Sequence, residues 1–341
     1  MPIRVAINGF GRIGRTTFRA GFDHPDVQFV AVNDPGDPAT LLHLLKYDSV
    51  FRKFHHECSL DGNDFVIEGQ KIRVLGERDP SLLPWKDLAV DVVLECTGRF
   101  TNKEDASKHL QAGAKRVVVS APVKGGTVPT YVLGANADKY TNEELINNAS
   151  CTTNCIAPIA AVMVETFGVQ KAMMSTIHAV TAEQNLVDGS PPGQKKGDLR
   201  RARAAYASII PTTTGAAIAT GEAIPELQGL FDGVAFRVPV MDVSLTDFVF
   251  LLKKKTTAEE INETLRYSSE QPKYKGILGV TDEPLVSSDY IGTNYSTVAD
   301  LSLTKVIDGD FVKIVGWYDN EWGYSRRLAE MAVKVGSTIK K

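Results

Sequence analysis

Two thiols four residues apart, Cys151 and Cys155, stand in the segment NNASCTTNCIAPIAAVMVETFG, residues 147–168. A thiol attacks as its thiolate, and a helix N-terminus or a neighbouring imidazole favours that form. Ser150 has the chemistry of an N-cap, which starts a helix at Cys151. Cys155, Ile156, Ile159, Met163 and Phe167 then recur at helical spacing, and Gly168 ends the run. Cys151 is therefore expected at a helix N-terminus, with Cys155 one turn on as a small core residue. The other two cysteines, Cys58 and Cys96, complete no secreted disulfide framework. A reducing, cytoplasmic compartment follows, which argues against a bridge between Cys151 and Cys155. A metal would need further Cys or His nearby, and none is supplied, so no metal is expected. The front of SCTTNC is too polar for an ordinary buried turn, which favours a nucleophile. Among the six histidines, His178 closes the strand-like run KAMMSTIHAV. A lone His there is more often a core or capping residue; with a thiol upstream it becomes the first candidate base.

A second set of residues has the chemistry to hold a dinucleotide. The strand IRVAIN is followed by GFGRIGR, with Gly9, Gly11 and Gly14 in GxGxxG spacing, and then by a helix. Gly9 suits a tight turn, Gly11 lets backbone approach a pyrophosphate, and Gly14 lets helix and strand pack closely. The helix N-terminus faces the phosphates with free N–H groups. VQFVAVND ends at Asp34, 20 residues after Gly14, where a carboxylate can accept two ribose hydroxyls and repel a 2′-phosphate. That favours NAD over NADP. Thr97, Gly98 and Ser120 fall at the carboxyl ends of the further strands VDVVLECTG and KRVVVSAP. Arg78, in GERDP, reads on these grounds as a solvated charge.

These residues need two kinds of scaffold. Continuous apolar runs alternating with helices over the first half indicate a doubly wound α/β unit with a mostly parallel sheet. The second half holds FRVPV, VSLTDFVFLLKKK, YKGILGVT, STVADLSLT and DFVKIVGWYD, with period-two stretches that suggest an α+β unit with a mostly antiparallel sheet. Thr257 and Glu260 form a capping-box pattern before INETLRYSS. The last helix, in EWGYSRRLAEMAVKVGSTI, should pack back on one of the two domains. The long polar stretch 181–205 ends in Arg200, Arg201 and Arg203 and precedes IIPTTTGAA, where Thr212 to Gly215 could present hydroxyls and N–H groups to an anion. With 341 residues, 38 basic and 41 acidic, the chain has room for two domains. Its balance gives no reason to expect nucleic acid or membrane as partner.

INGFGRIGR, ASCTTNC, LRRARAA, IIPTTTGAA, RVP and WYDNEWGYS together make the chain resemble the phosphorylating glyceraldehyde-3-phosphate dehydrogenases along essentially its whole length. The resemblance implies a Rossmann NAD-binding domain over 1–150, a catalytic domain over 151–319, and a C-terminal helix over 320–341 that returns to the first domain. It implies D-glyceraldehyde 3-phosphate and inorganic phosphate as partners, and a homotetramer. By motif position Cys151 would be the nucleophile and His178 the base. Thr181 and Arg237 would hold the substrate phosphate, and Ser150, Thr152, Thr214 and Gly215 the inorganic phosphate. Arg201 would serve one of these two sites. Arg12, Ile13, Asp34, Arg78, Ser120 and Asn320 would bind NAD, Asn320 by orienting the nicotinamide amide; here Arg78 gains a function. The chain departs from the family pattern in RVPVMDVSLTD, which replaces RVPTPNVSVVD, in HAVTAEQ, which replaces HSYTNDQ, and in the insertion GSPPGQKKG. An erythrose-4-phosphate dehydrogenase is the alternative within the same chemistry. A non-catalytic dinucleotide-binding scaffold is the alternative outside it, and has no need of Cys151, His178 and Arg237 together.

Overall fold

The computed structural model describes residues 1–191 and 198–339. It divides into two compact units. One comprises residues 1–131, 139–149 and 325–341, the other 132–138 and 150–324.

The first unit is built on an eight-stranded sheet. In spatial order its strands are Leu145–Asn147, Arg116–Val119, Val92–Glu95, Ile3–Asn8, Val27–Asn33, Gln70–Leu75, Asp64–Ile67 and Cys58–Asp61. The first six are parallel and the last two are added as hairpins. These hairpins were not assigned from sequence, although Asp61–Gly62 and Glu68–Gly69 carry turn chemistry: Gly62, Glu68 and Gly69 all take positive φ. The central strands are apolar without alternation because both faces are covered, and Val5, Ile7, Val92, Val93 and Leu94 have no exposed surface. The chain leaves the first strand toward Val27–Asn33 on one side and later returns to Val92–Glu95 on the other. The order reverses at the carboxyl end of Ile3–Asn8, where open α/β sheets bind ligands. A buried polar network fixes that edge. Trp85 Nε1 donates to His109 Nδ1 (3.0 Å), so His109 donates through Nε2 to Glu95 (3.0 Å), which also accepts from Asn8. From Ser325 onward the last helix, Trp322–Gly336, belongs to this unit; Arg326 Nη1 donates to Ala20 O at 3.0 Å.

The second unit is built on another eight-stranded sheet. The spatial order is Ile210–Thr213, Phe231–Arg237, Val169–His178, Ser244–Leu252, Phe311–Tyr318, Thr297–Asp300 and Leu278–Thr281, with Lys305–Ile307 also pairing to Phe311–Tyr318. Two neighbouring pairs are parallel and the rest antiparallel. Strand Ser244–Leu252 alternates strictly, burying Ser244, Thr246, Phe248, Phe250 and Leu252. The helix Cys151–Phe167 lies against this sheet, where Cys155 Sγ sits 3.3 Å from Thr297 Oγ1 and 3.7 Å from Thr246 Oγ1. The periodicity predicts one apolar face, but every residue from Thr152 to Met163 is buried, so this is a central helix with apolar packing almost all round. Only half of the predicted capping box forms. Thr257 Oγ1 accepts from Glu260 N (3.2 Å), but the Glu260 carboxylate is taken by Thr256 Oγ1 (2.8 Å) instead of reaching back to Thr257 N.

Candidate active site

The glycine turn of the first unit lies at the switch point. Gly9 has φ +91°, and a Cβ there would lie 2.7 Å from Thr97 N. A Cβ on Gly14 would lie 2.1 Å from Gly9 O, so only glycine lets the helix Arg12–Gly21 approach its own turn this closely. Gly11 meets nothing within 4 Å, and as N-cap it offers no side-chain hydrogen bond. Backbone at the start of this helix can therefore be approached closely, which suits a pyrophosphate. Asp34 is fixed by Phe10 N (2.9 Å, Oδ2) and Gly36 N (2.9 Å, Oδ1), and each oxygen keeps a lone pair for a ribose hydroxyl. These features fit a dinucleotide. Arg12 spends its guanidinium on Asp48. Thr97 N donates to Glu95 Oε1 (2.8 Å), and Ser120 N to Glu95 O (2.9 Å). Arg78 is exposed.

In the second unit Ser150 caps the cysteine helix. Its Oγ accepts from Thr153 N (3.2 Å) and contacts Thr153 Oγ1 (2.9 Å), which places half-buried Cys151 in the first turn. Cys151 Sγ lies 3.6 Å from His178 Nε2. His178, at the end of its strand, is 4% exposed. Its Nδ1 is 2.7 Å from Ala179 O and 2.8 Å from Arg237 Nη1. Ala179 O can only accept, which assigns the proton to Nδ1 and turns the Nε2 lone pair to the thiol; Arg237 Nη1, a donor only, is then a close neighbour of Nδ1 and not its partner. Arg237 Nη1 then donates to Ala179 O (3.2 Å) and Thr181 Oγ1 (3.3 Å), so Thr181 and Arg237 meet beside the imidazole.

At Cys151 the helix terminus works against burial, which pushes the thiol up; the Arg237 charge and the Thr152 hydroxyl also oppose that rise. Burial, then Arg237, push His178 down to about 3, against the pull of its bond to Ala179 O, and Arg201 adds to the fall.

The anion residues fare unevenly. Arg201 is buried, with Nε on Thr212 Oγ1 (2.8 Å) and Nη1 on Glu183 (3.3 Å), and its charge reaches both His178 and Arg237. Arg203 is instead held by Asp188 (2.9 Å) and Arg200 lies near Asp198 (3.5 Å), so the predicted three-arginine cluster reduces to Arg201. Thr212 is spent on Arg201 and Asp198. Thr214 Oγ1 accepts from Ala216 N (3.1 Å), and Gly215 heads the helix Ala216–Ala223. Of the insertion at 189–197, residues 192–197 lie outside the described residues.

Two contributors were not singled out from sequence. Tyr318 OH bonds Thr152 Oγ1 (3.0 Å) and Thr176 Oγ1 (2.8 Å), and its ring stands edge-on to His178 at 6.0 Å. Ser244 Oγ donates to Asn320 Oδ1 at 2.6 Å, which leaves the Asn320 amide N–H groups free for a carboxamide. Tyr318 lies inside WYDNEWGYS, but nothing local reveals that its hydroxyl reaches back 166 residues.

Two family models match the chain. The glyceraldehyde 3-phosphate dehydrogenase NAD binding domain covers residues 3–103, and the C-terminal domain of the same family covers residues 150–320. The chain is 51% identical over 339 residues to a glyceraldehyde-3-phosphate dehydrogenase of Geobacillus stearothermophilus, covering 99% of each chain. It is 49% identical over 342 residues to that of Streptomyces coelicolor, covering 99% of this chain and 100% of that one. It is 49% identical over 337 residues to glyceraldehyde-3-phosphate dehydrogenase 1 of Bacillus subtilis, covering 98% of each. With the thiol–imidazole pair on one unit and the dinucleotide turn on the other, these matches place the chain in the glyceraldehyde-3-phosphate dehydrogenase family.

Proposed function

We propose that the chain catalyses NAD-dependent oxidative phosphorylation of D-glyceraldehyde 3-phosphate to 1,3-bisphosphoglycerate. Residues 1–150 act as the cofactor domain, 151–319 as the catalytic domain, and 320–341 as a helix returning to the first. The observation that carries this is Cys151 Sγ, 3.6 Å from His178 Nε2, with Arg237 and Thr181 joined beside the imidazole.

His178 Nε2 accepts the Cys151 proton, the thiolate sulfur bonds to the aldehyde carbon as the carbonyl π bond opens onto oxygen, and His178 returns the proton to that oxygen to give a thiohemiacetal. His178 then takes the hydroxyl proton as the carbon gives up its hydride and becomes a thioester. NAD, when bound, supplies the acceptor for that hydride. Arg237 and Thr181 hold the substrate phosphate, which fixes the distance from phosphate to aldehyde. Ser150, Thr152, Thr214 and Gly215 hold inorganic phosphate, whose oxygen attacks the thioester; the C–S bond breaks and Cys151 leaves as thiolate. Arg201, buried between Glu183 and Thr212, adds positive charge to this anion-binding region. Gly9, Gly11, Gly14, Arg12, Ile13, Asp34, Arg78, Thr97, Ser120 and Asn320 hold the cofactor.

No helix among the described residues is long and apolar enough to cross a membrane, and a cytoplasmic location goes with the unbridged cysteines. The homotetramer is supported by the outer face of the second sheet. Met173 and Phe311 expose 69% and 47% of their surface there, beside Ile218 at 73%. The activity is tested by steady-state rates with glyceraldehyde 3-phosphate and erythrose 4-phosphate, each with and without phosphate. Turnover of the triose should exceed that of the tetrose by about one to two decades in kcat/KM, the value of one charge-assisted contact at Arg237, and should require phosphate. A tetrose preference, or indifference to phosphate, contradicts the proposal.

A further inference from the structure

Asp242 is 2% exposed, and neither of its carboxyl oxygens receives a hydrogen bond from any described residue. Asp319, 1% exposed, is its opposite. Oδ1 accepts from Glu321 N (2.9 Å) and Trp322 N (2.6 Å), and Oδ2 accepts from Gly292 N (2.8 Å). Ser244 pairs with Tyr318 across neighbouring strands, which brings the Asp242 and Asp319 segments together, and each carboxyl group perturbs the other. Two bare carboxylates cannot share a buried contact, so one proton lies between them. Donor inventory places it. Asp319 already has three N–H donors and acts as an ionised acceptor; Asp242 has none and must itself be the donor. Glu321, 8% exposed, adds negative charge. Burial, then Asp319 and Glu321, push Asp242 up to about 9, against a weak opposing pull from the Val243 amide. Burial lifts Asp319 as well, but its three backbone donors pull it back.

This acid pair lies beside the Ser244–Asn320 bond. Asp242 is two residues before Ser244, and Asp319 immediately precedes Asn320. Ser244 Oγ donates to Asn320 Oδ1 (2.6 Å) and accepts from Ala179 N (3.0 Å). Two side-chain bridges thus join the same pair of segments. Between the bridges, Val243 is held at φ +68°, a left-handed conformation that a β-branched residue keeps only when its surroundings impose it. An amide at 242 would bring permanent N–H donors to Asp319. In this chain the donor is a removable proton.

We propose that Asp242 is a positioning residue for the nicotinamide end of the cofactor: as a protonated acid it ties down Asp319 and thereby aims Asn320, and loss of that proton releases the tie. The positioning role rests on the reading of Asn320 as the nicotinamide-orienting residue. Between the ordinary carboxyl range and about 9 the folded chain holds a proton that the unfolded chain has released. The stability contributed by the pair therefore declines as pH rises and is gone above that value.

The test compares wild type with Asp242→Asn, which keeps the shape and makes the donor permanent. Above a pH of about 9 the wild-type kcat/KM for NAD should fall relative to the variant by about tenfold per pH unit, with the loss in KM for NAD. The rate of Cys151 alkylation should keep the same pH dependence in both proteins. The infrared spectrum should show a protonated-carboxyl stretch in wild type near neutral pH that is missing in Asp242→Asn. Identical pH profiles, or no such band, overturn the proposal. If Asn320→Ala leaves KM for NAD unchanged while the band persists, the positioning role is overturned through the Asn320 reading and not through the acid pair.

Discussion

Cys151 and Arg237 set opposing conditions for the chemistry. The Arg237 charge draws the thiol toward thiolate and holds the neighbouring imidazole neutral. Removing that charge should therefore move the two groups in opposite directions. Arg237→Gln should push the Cys151 thiol higher and let His178 titrate at higher pH. Iodoacetamide labelling near neutral pH should slow accordingly, while in wild type it should rise with pH because burial has lifted the thiol. Cys151 should still label before Cys58, Cys96 and Cys155: Cys155 is fully buried, and although burial raises all four thiols, the Arg237 charge opposes that rise at Cys151. Faster alkylation in Arg237→Gln, or a His178 resonance that titrates no higher, would count against this arrangement. Cys151 stood out in sequence because the helix start that carries it is too polar for an ordinary buried turn, whereas His178 gained meaning only from the thiol upstream. Asp242 was visible only as a departure from a pattern. Its partner lies 77 residues on, and its meaning depends on a burial that no local spacing encodes.

At the scale of elements, the glycine turn separates folding from binding. Gly14→Ala places a methyl 2.1 Å from Gly9 O, a backbone atom that cannot swing aside, whereas Gly11→Ala places one in open space. Gly14→Ala should lose about 1–3 kcal/mol of stability in denaturant unfolding, the usual cost of overpacking. Gly11→Ala should unfold like wild type yet bind NAD about tenfold more weakly, as expected for losing about one hydrogen bond's worth of close approach. Calorimetric titration with NAD and urea melts of both variants check this; a stability loss in Gly11→Ala would contradict the assignment of the open space to a ligand. The turn was readable because strand, glycines, helix and acid recur at fixed spacing. The hairpins Cys58–Asp61, Asp64–Ile67 and Gln70–Leu75 were not, since their strands are short, only the middle one is mostly buried, and all three mix charge with apolar residues. The half-formed capping box shows the same limit: Thr256, one residue earlier, competes for Glu260, and sequence spacing does not rank such rivals.

For the whole molecule, the mostly parallel and mostly antiparallel characters of the two sheets follow from the change of pattern near residue 150, where continuous apolar strands give way to alternating ones; the strand orders do not, because they are set by long-range pairing. The chemistry proposed for the chain requires the cofactor, the thiol and both anions in one turnover, and its central claim is a covalent acyl group on Cys151. That claim is tested by mass spectrometry of the intact protein and its peptides after mixing with glyceraldehyde 3-phosphate and NAD in phosphate-free buffer. The expected result is a 3-phosphoglyceroyl adduct on the peptide carrying Cys151, about one per chain, that disappears when inorganic phosphate is added and never forms in Cys151→Ser. An adduct on Cys58, Cys96 or Cys155, or full turnover in Cys151→Ser, would contradict it.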